Sequence, residues 1–251
     1  MHKTDLVSLR NLRDKSLILR ISHNIRNWRN KEVVKDIIKY CGGEILDIGG
    51  GDFYLAIKNQ KAVFNTWTVL EYSKQELPDI TDNRYRSILG DGCDIPFKNS
   101  CFDIVLNIQV LEHVLHPIKM VNEIARVMKP GGYGIFLIPQ TIVMHMAPYH
   151  YYNFTRFWIK EVMTGAGFTI LKLKPLGGVW SSMASHFALF FFQSIRVKGM
   201  STAECKRNAL FYLFYPLMAL YALLSIPVCL FLSLGDLSEE PNNYLVVVSK
   251  K

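Results

Sequence analysis

Residues 44–52 read EILDIGGGD: an apolar run carries the carboxylate Asp47 and ends in Gly49, Gly50 and Gly51. Apolar residues in an unbroken run of this length predict a buried strand. Glycines at its end predict a turn into a helix where a ligand must come close to the backbone. A dinucleotide turn of the G-x-G-x-x-G type is not what this is. Gly49 and Gly51 fill the first two positions, but Tyr54 stands at the third. Asp47, two residues before the first glycine, would repel a pyrophosphate and suits a ligand that carries positive charge.

Similar runs lie on the C-terminal side. TWTVLE (66–71), YRSILG (85–90), FDIVLNI (102–108) and YGIFLIP (133–139) each predict a buried strand, and FTILKLK (168–174) and YLVVVSK (244–250) complete the set. Helix-like segments alternate with them, above all VLEHVLHPIKMVNEIARVMKP (110–130), which stops at Pro130-Gly131-Gly132. Continuous apolar strands separated by helices indicate an open, doubly wound α/β domain with both faces of a mostly parallel sheet covered.

Composition supports one sizeable domain. Of 251 residues, 50% are hydrophobic and 20% charged, which excludes disorder, collagen and coiled coil as descriptions of the chain. Five cysteines without a close CxxC pair suggest neither a disulfide framework nor structural zinc, and no metal-ligand spacing stands out, so no metal is expected. The net charge of +8 is concentrated at the N-terminus: residues 1–39 hold ten Lys/Arg against four Asp/Glu. Leu6, Leu9, Leu17, Ile21 and Ile25 recur at roughly helical spacing among arginines. Residues 1–40 are therefore expected to be a basic amphipathic helical region, with a solvated face or one resting on anionic lipid. Charges interrupt every apolar cluster there, so no secretory signal is expected.

A second region departs from a plain α/β pattern. Residues 175–195 and 208–235 are free of Lys, Arg, Asp and Glu except for Asp236 just beyond, and 209–234 form a 26-residue uncharged run. As one helix it would be about 39 Å long, enough to cross a bilayer core. Pro216 and Pro227 argue against a single straight helix, and strands on both sides of the run require the chain to return to the side it left. Residues 176–240 are accordingly expected to be an apolar helical insert lying in the membrane interface, with the basic loop 196–207 near lipid headgroups. A buried cap or a dimer interface is the alternative, and true spanning is disfavoured.

Several motifs occur in order: ILDIGGGD (45–52), the acid Glu71 at the end of the second strand, GDGCDIPF (90–97), FDIVLNIQVLEH (102–113), RVMKPGG (126–132) and HYYNFTRFWIKEVMTGAGF (150–168). Together they resemble the class I S-adenosylmethionine-dependent methyltransferases, in the group with a D-x-G-x-G turn, a D-x-x-x-x-P-F segment and a V-L-E-H segment. Phe53 stands where many relatives have glycine. The resemblance covers residues 41–175 and 241–251. It implies a Rossmann-like, seven-stranded, mostly parallel sheet with an antiparallel final strand, and S-adenosyl-L-methionine as cofactor.

The resemblance also implies residue roles. Gly49 and Gly51 would let the methionine portion pass close to the turn, and Asp47 would orient backbone or the ligand amino group. Glu71 would accept from the ribose hydroxyls, with Tyr72 beside the adenine. Asp91 would accept from the adenine amino group, with Gly92 and Cys93 nearby, although Asp91 could instead cap the next turn. Asn107 and Gln109 would lie near the sulfonium. Trp28 and Arg29 could cover the cofactor or simply pack. For a hydroxyl acceptor a base is wanted, and His113, His116, His145 and His150 are candidates, with His150 preferred.

Aromatic density around Tyr149, Tyr151, Tyr152, Phe154, Phe157 and Trp158, next to membrane-seeking helices, points to a small or lipid-linked acceptor at the cytoplasmic face of the membrane. A nucleic-acid acceptor is not favoured, since no N/D-P-P-Y/F motif or added RNA-binding module is present. A non-catalytic, cofactor-binding membrane scaffold is the alternative from another class.

Overall fold

The computed structural model describes residues 31–251 apart from 52, 59, 61, 75, 76, 78, 79 and 197–205. Expectations for residues 1–30, including Trp28 and Arg29, and for most of the loop 196–207, lie outside the described residues.

Seven strands form one sheet: β1 (Glu44–Ile48), β2 (Thr66–Glu71), β3 (Tyr85–Leu89), β4 (Phe102–Ile108), β5 (Met128–Pro139), β6 (Phe168–Leu176) and β7 (Asn243–Lys250). Their order is β3-β2-β1-β4-β5-β7-β6. Strands β1 to β5 pair in parallel, and β7 enters antiparallel between β5 and β6. This is the doubly wound sheet with an antiparallel last strand that the sequence predicts. The helices are α1 (Lys31–Tyr40), α2 (Phe53–Lys58), α3 (Pro117–Val127), α4 (Arg156–Gly165), α5 (Val179–Ser194) and α6 (Ala209–Leu232).

Alternation along the strands builds two cores. Leu46, Ile48 and Val105 face Met120 and Ile124 of α3 and Ile159 and Met163 of α4. Ile45, Trp67, Val69, Ile104 and Leu106 face Val33 and Ile37 of α1 and Tyr54 and Ile57 of α2. Every one of these side chains is buried, as strands covered on both faces require.

The expected helix over 110–130 is shorter at both ends. Leu111–His113 is a single 3-10 turn, and α3 begins only at Pro117. Proline has no N–H to donate and its fixed φ suits the first helical position, so it starts this helix. At the other end Met128 already belongs to β5, which passes a register irregularity opposite Phe102–Ile104. Gly132 permits this: a Cβ there would sit 2.8 Å from the Asp103 carbonyl oxygen.

Residues 209–232 form one continuous helix, α6, through both Pro216 and Pro227. The two prolines, which argue against a single straight helix, lie inside it without ending it. Neighbouring turns tolerate the two missing donors, and Asn208 caps the start, its Oδ1 accepting from the Phe211 N–H at 2.9 Å. α5 packs along α6, with Phe187 against Tyr221 and Phe190 against Tyr215. Arg207 donates to the carbonyls of Gln193 and Ser194 at the end of α5 and stacks on Phe211.

Candidate active site

The glycine turn after β1 is built around Asp47. Its side chain is fully buried; Oδ2 accepts from Trp67 Nε1 at 3.2 Å, while Oδ1 has no hydrogen-bond partner among the described residues. The backbone wraps this carboxylate so closely that a Cβ on Gly50 would lie 2.0 Å from Oδ2. Gly49 has φ +67°, and a Cβ there would meet Val110 at 2.8 Å. Burial pushes the Asp47 carboxyl up to about 7, opposed by the Trp67 hydrogen bond and reinforced by the nearby Glu71 charge.

Glu71 ends β2 and is buried beside the same turn, where Oε1 accepts from the Gly51 N–H at 2.7 Å. A carboxylate offers about four lone-pair sites and so can accept from several donors at once. Tyr72, the next residue, is 80% exposed. Two carboxylates thus converge on a turn whose glycines leave room for a ligand.

The structure brings the remaining expected cofactor residues to the same sheet edge. Asp91 Oδ1 accepts from Cys93 N at 2.8 Å, so Asp91 caps its own turn. A Cβ on Gly92 would come within 2.3 Å of the Met120 methyl. Cys93 is a buried wall residue whose thiol is pushed up first by burial and then by the Asp91 charge. Asn107 is fully buried, with Nδ2 on Met120 Sδ at 3.4 Å and Oδ1 unpartnered among the described residues. Gln109 has φ +57° and donates to Asn243 Oδ1 at the start of β7.

A loop spanning residues 140–153 follows β5 and folds back on the Leu111–His113 turn. The Glu112 carbonyl accepts from the N–H groups of Tyr151 and Tyr152, and Phe154 N closes the loop onto the Pro139 carbonyl. His113, His145 and His150 meet there, with ring centroids 4.6–5.7 Å apart. His150 Nδ1 accepts from His145 N at 3.2 Å, and its Nε2 contacts the Tyr152 carbonyl at 3.2 Å. His116, by contrast, is exposed at the start of α3.

An open groove of about 540 Å³ adjoins this loop, lined by Gln140, Thr141, Ile142, Asn153 and, on α5, by Met183 and Phe187 among others. Sequence reasoning missed the parts of the site that need distant partners. Trp67 beneath Asp47, Met120 beneath Gly92 and Asn107, and buried Glu112 beside the histidines carry no local pattern. Arg126 was likewise unforeseen: it pairs with Glu123 and donates to the carbonyls of Ile95 and Phe97, holding the GDGCDIPF segment against α3.

Residues 46–136 match a family described as a methyltransferase domain. This chain carries a class I, S-adenosylmethionine-dependent methyltransferase domain. It is similar to a probable S-adenosylmethionine-dependent methyltransferase of Mycolicibacterium smegmatis, 25% identical over 57% of this chain and 59% of the relative. It is also similar to the chloroplastic 2-methyl-6-phytyl-1,4-hydroquinone methyltransferase 1 of Oryza sativa subsp. japonica, 23% identical over 76% of this chain and 59% of that one. The chain thus spans less than two thirds of the length of either relative. Among solved structures, the Haloferax volcanii protein in complex with the Trm112 methyltransferase activator shares the fold, with a TM-score of 0.60, 14% identity and 91% of each chain covered.

The methyltransferase domain's residues fit its cofactor. Adjoining carboxylates, one with an orphaned buried oxygen, suit a ligand with a cationic sulfur and an amino group. The glycine backbone leaves the close approach that such a ligand needs.

Proposed function

We propose that the protein methylates a small or lipid-linked acceptor with a long apolar portion, at the cytoplasmic face of a membrane. The observation that carries this reading is where the apolar helices leave the sheet. β6 runs parallel to β1–β5, so Leu176 lies at their carboxyl edge, the edge that binds ligands in such sheets. Asn243 is paired with Leu176, so the chain leaves and returns at one point beside the site. From that point extend α5, which lines the groove, and α6, whose most apolar stretch is only 11% buried. Leu213, Leu217, Leu220, Leu223 and Leu224 are all more than half exposed. Such a surface calls for lipid or an apolar partner. The phytyl hydroquinone in the rice relative's name is an acceptor of the proposed kind.

S-adenosylmethionine, when bound, supplies a methyl group activated on a positive sulfur. Asp47 and Glu71 hold the cofactor's amino group and ribose, the Gly49–Gly51 backbone lets it lie close, and Asn107 and Gln109 border its sulfonium end. Tyr72, Asp91, Gly92 and Cys93 form the adenine end. The groove beside residues 140–153 aligns the acceptor and excludes water, which is most of what the transfer demands. His150 Nδ1 is the proposed proton acceptor for a hydroxyl, exchanging its long contact with His145 N for the acceptor.

Liposome flotation tests the membrane part, with calorimetric titration of S-adenosylmethionine in parallel. The parent should float with anionic vesicles, and the Leu217→Asp/Leu224→Asp double variant should not, while binding the cofactor with unchanged affinity. A parent that stays with the soluble fraction, or a variant that floats equally well, refutes it. Absence of cofactor binding by the folded parent would return a non-catalytic scaffold to the front.

A further inference from the structure

Glu112 presents an unsolved electrostatic problem. Its side chain is fully buried and neither carboxylate oxygen has a hydrogen-bond partner among the described residues. His113 Nε2 lies 3.9 Å from Oε1, too far for a hydrogen bond. His113 Nδ1 lies 2.6 Å from the Tyr149 carbonyl, and His145 Nδ1 lies 3.1 Å from the Val143 carbonyl. A carbonyl can only accept, so each imidazole carries its proton on Nδ1 and presents a lone pair at Nε2. The Glu112 carboxylate and His113 Nε2 are thus acceptors facing each other 3.9 Å apart, with the His145 ring beside them, an arrangement that a cation resolves.

We propose that Glu112, His113 and His145 form a binding site for a divalent transition-metal ion of the Zn2+ class. One ligand atom from each lies within 4.8 Å of the others. Donors about 2.1 Å from a shared tetrahedral ion stand on the order of 3.4 Å apart, so rotations that move each by about an ångström complete the set. Two imidazoles and one carboxylate favour zinc and its neighbours over Mg2+ or Ca2+, which prefer oxygen alone. The Nδ1–carbonyl bonds are what ligating histidines use to fix ring orientation. Three protein ligands leave a coordination position open, as in catalytic rather than structural zinc sites. The site stands between the carboxyl ends of β4 and β5, on the loop that also borders the groove.

The test needs neither cofactor nor acceptor, so it is independent of the proposed methylation. Full-length protein in mild detergent is stripped with a chelator and titrated with Zn2+ alone against a chromophoric indicator. Co2+ is added separately to read the visible absorption of tetrahedral coordination. One Zn2+ per chain is expected, with affinity weakened by about 100-fold or more in both Glu112→Gln and His145→Ala, and unchanged in His116→Gln. If Glu112→Gln does not fold, as judged by circular dichroism, His145→Ala alone decides. Failure of the parent to bind Zn2+, or equal binding by folded His145→Ala, overturns the proposal and leaves Glu112 as a buried acid kept neutral by its own proton.

Discussion

Replacing Asp47 with Asn isolates the energetic cost of placing a carboxylate at the floor of the glycine turn. The amide is nearly isosteric, and its oxygen can still accept from Trp67 Nε1. In the folded protein the carboxyl of Asp47 is held at about 7, against 3.8 for an ordinary aspartate, chiefly by burial. A folded value above the unfolded one means that the folded state holds this proton more tightly. The associated stability is fully present below pH 3.8 and is lost as pH rises through about 7. The gap corresponds to about 4 kcal/mol, with a slope of up to about 1.4 kcal/mol per pH unit between the two values.

Other carboxylates and histidines also titrate in this range, so the informative quantity is the difference between parent and Asp47→Asn. Urea unfolding followed by circular dichroism at several pH values, in one detergent and without cofactor, gives it directly. From pH 4 to pH 8 the parent should lose about 4 kcal/mol relative to the variant, with most of the change complete by pH 7. A positively charged ligand favours the ionised form. Cofactor affinity in the parent should therefore increase with pH up to about 7, by as much as about tenfold per pH unit, and stay flat in the variant. Parallel stability curves for the two proteins would refute the reasoning, because they would show Asp47 to be hydrated and ordinary.

Glu71→Gln removes the charge proposed to receive the ribose hydroxyls, and calorimetry should show S-adenosylmethionine binding weakened by about 10- to 100-fold with the fold retained. Two glycine substitutions should separate crowding from backbone strain: Gly50→Ala, whose Cβ would overlap the Asp47 carboxylate, should cost about 3 kcal/mol by chemical denaturation. Gly51→Ala, at φ +52° with open space around it, should cost about 1 kcal/mol. For a hydroxyl acceptor, His150→Gln should lower kcat by about 100-fold or more without changing cofactor affinity, and an unchanged kcat would remove His150 as the base.

Much of the sheet was legible because its strands are unbroken apolar runs, and Glu71 could be read because strand ends face the ligand edge. Legibility failed where local pattern and tertiary demand diverge. Residues 110–130 read as one helix-like segment on paper. In the fold, Pro117 starts α3 and the preceding turn bends to place Glu112 under the histidines. Pro130-Gly131-Gly132 resembles a helix stop and turn, yet these residues lie within β5, where glycine clears the Asp103 carbonyl. Histidines 113 and 145 are 32 positions apart, and only the pairing of β4 with β5 brings their loops together. The buried Trp67–Asp47 bond depends in the same way on β1 lying beside β2.

The root of the apolar insert is joined to the acceptor-side loop, and this decides how a membrane role should be tested. Thr141 Oγ1 contacts Ser182 Oγ at 2.7 Å and donates to the Pro241 carbonyl at 2.8 Å. Ser182 Oγ donates to the Glu240 carbonyl, and Gln140 N donates to the Asn242 carbonyl. Asp236, just after α6, accepts from the N–H groups of Trp180 and Ser181 and so caps α5 from the far end of the insert. Deleting residues 177–240 would strip away one wall of the groove, removing α5 together with its Asp236 cap, and would leave Thr141 without Ser182. Lost activity in such a deletion would report a damaged site as readily as a lost anchor. Charges placed on the exposed face of α6 at Leu217 and Leu224 disturb none of these bonds. Only a substitution of that kind separates attachment to lipid from construction of the groove.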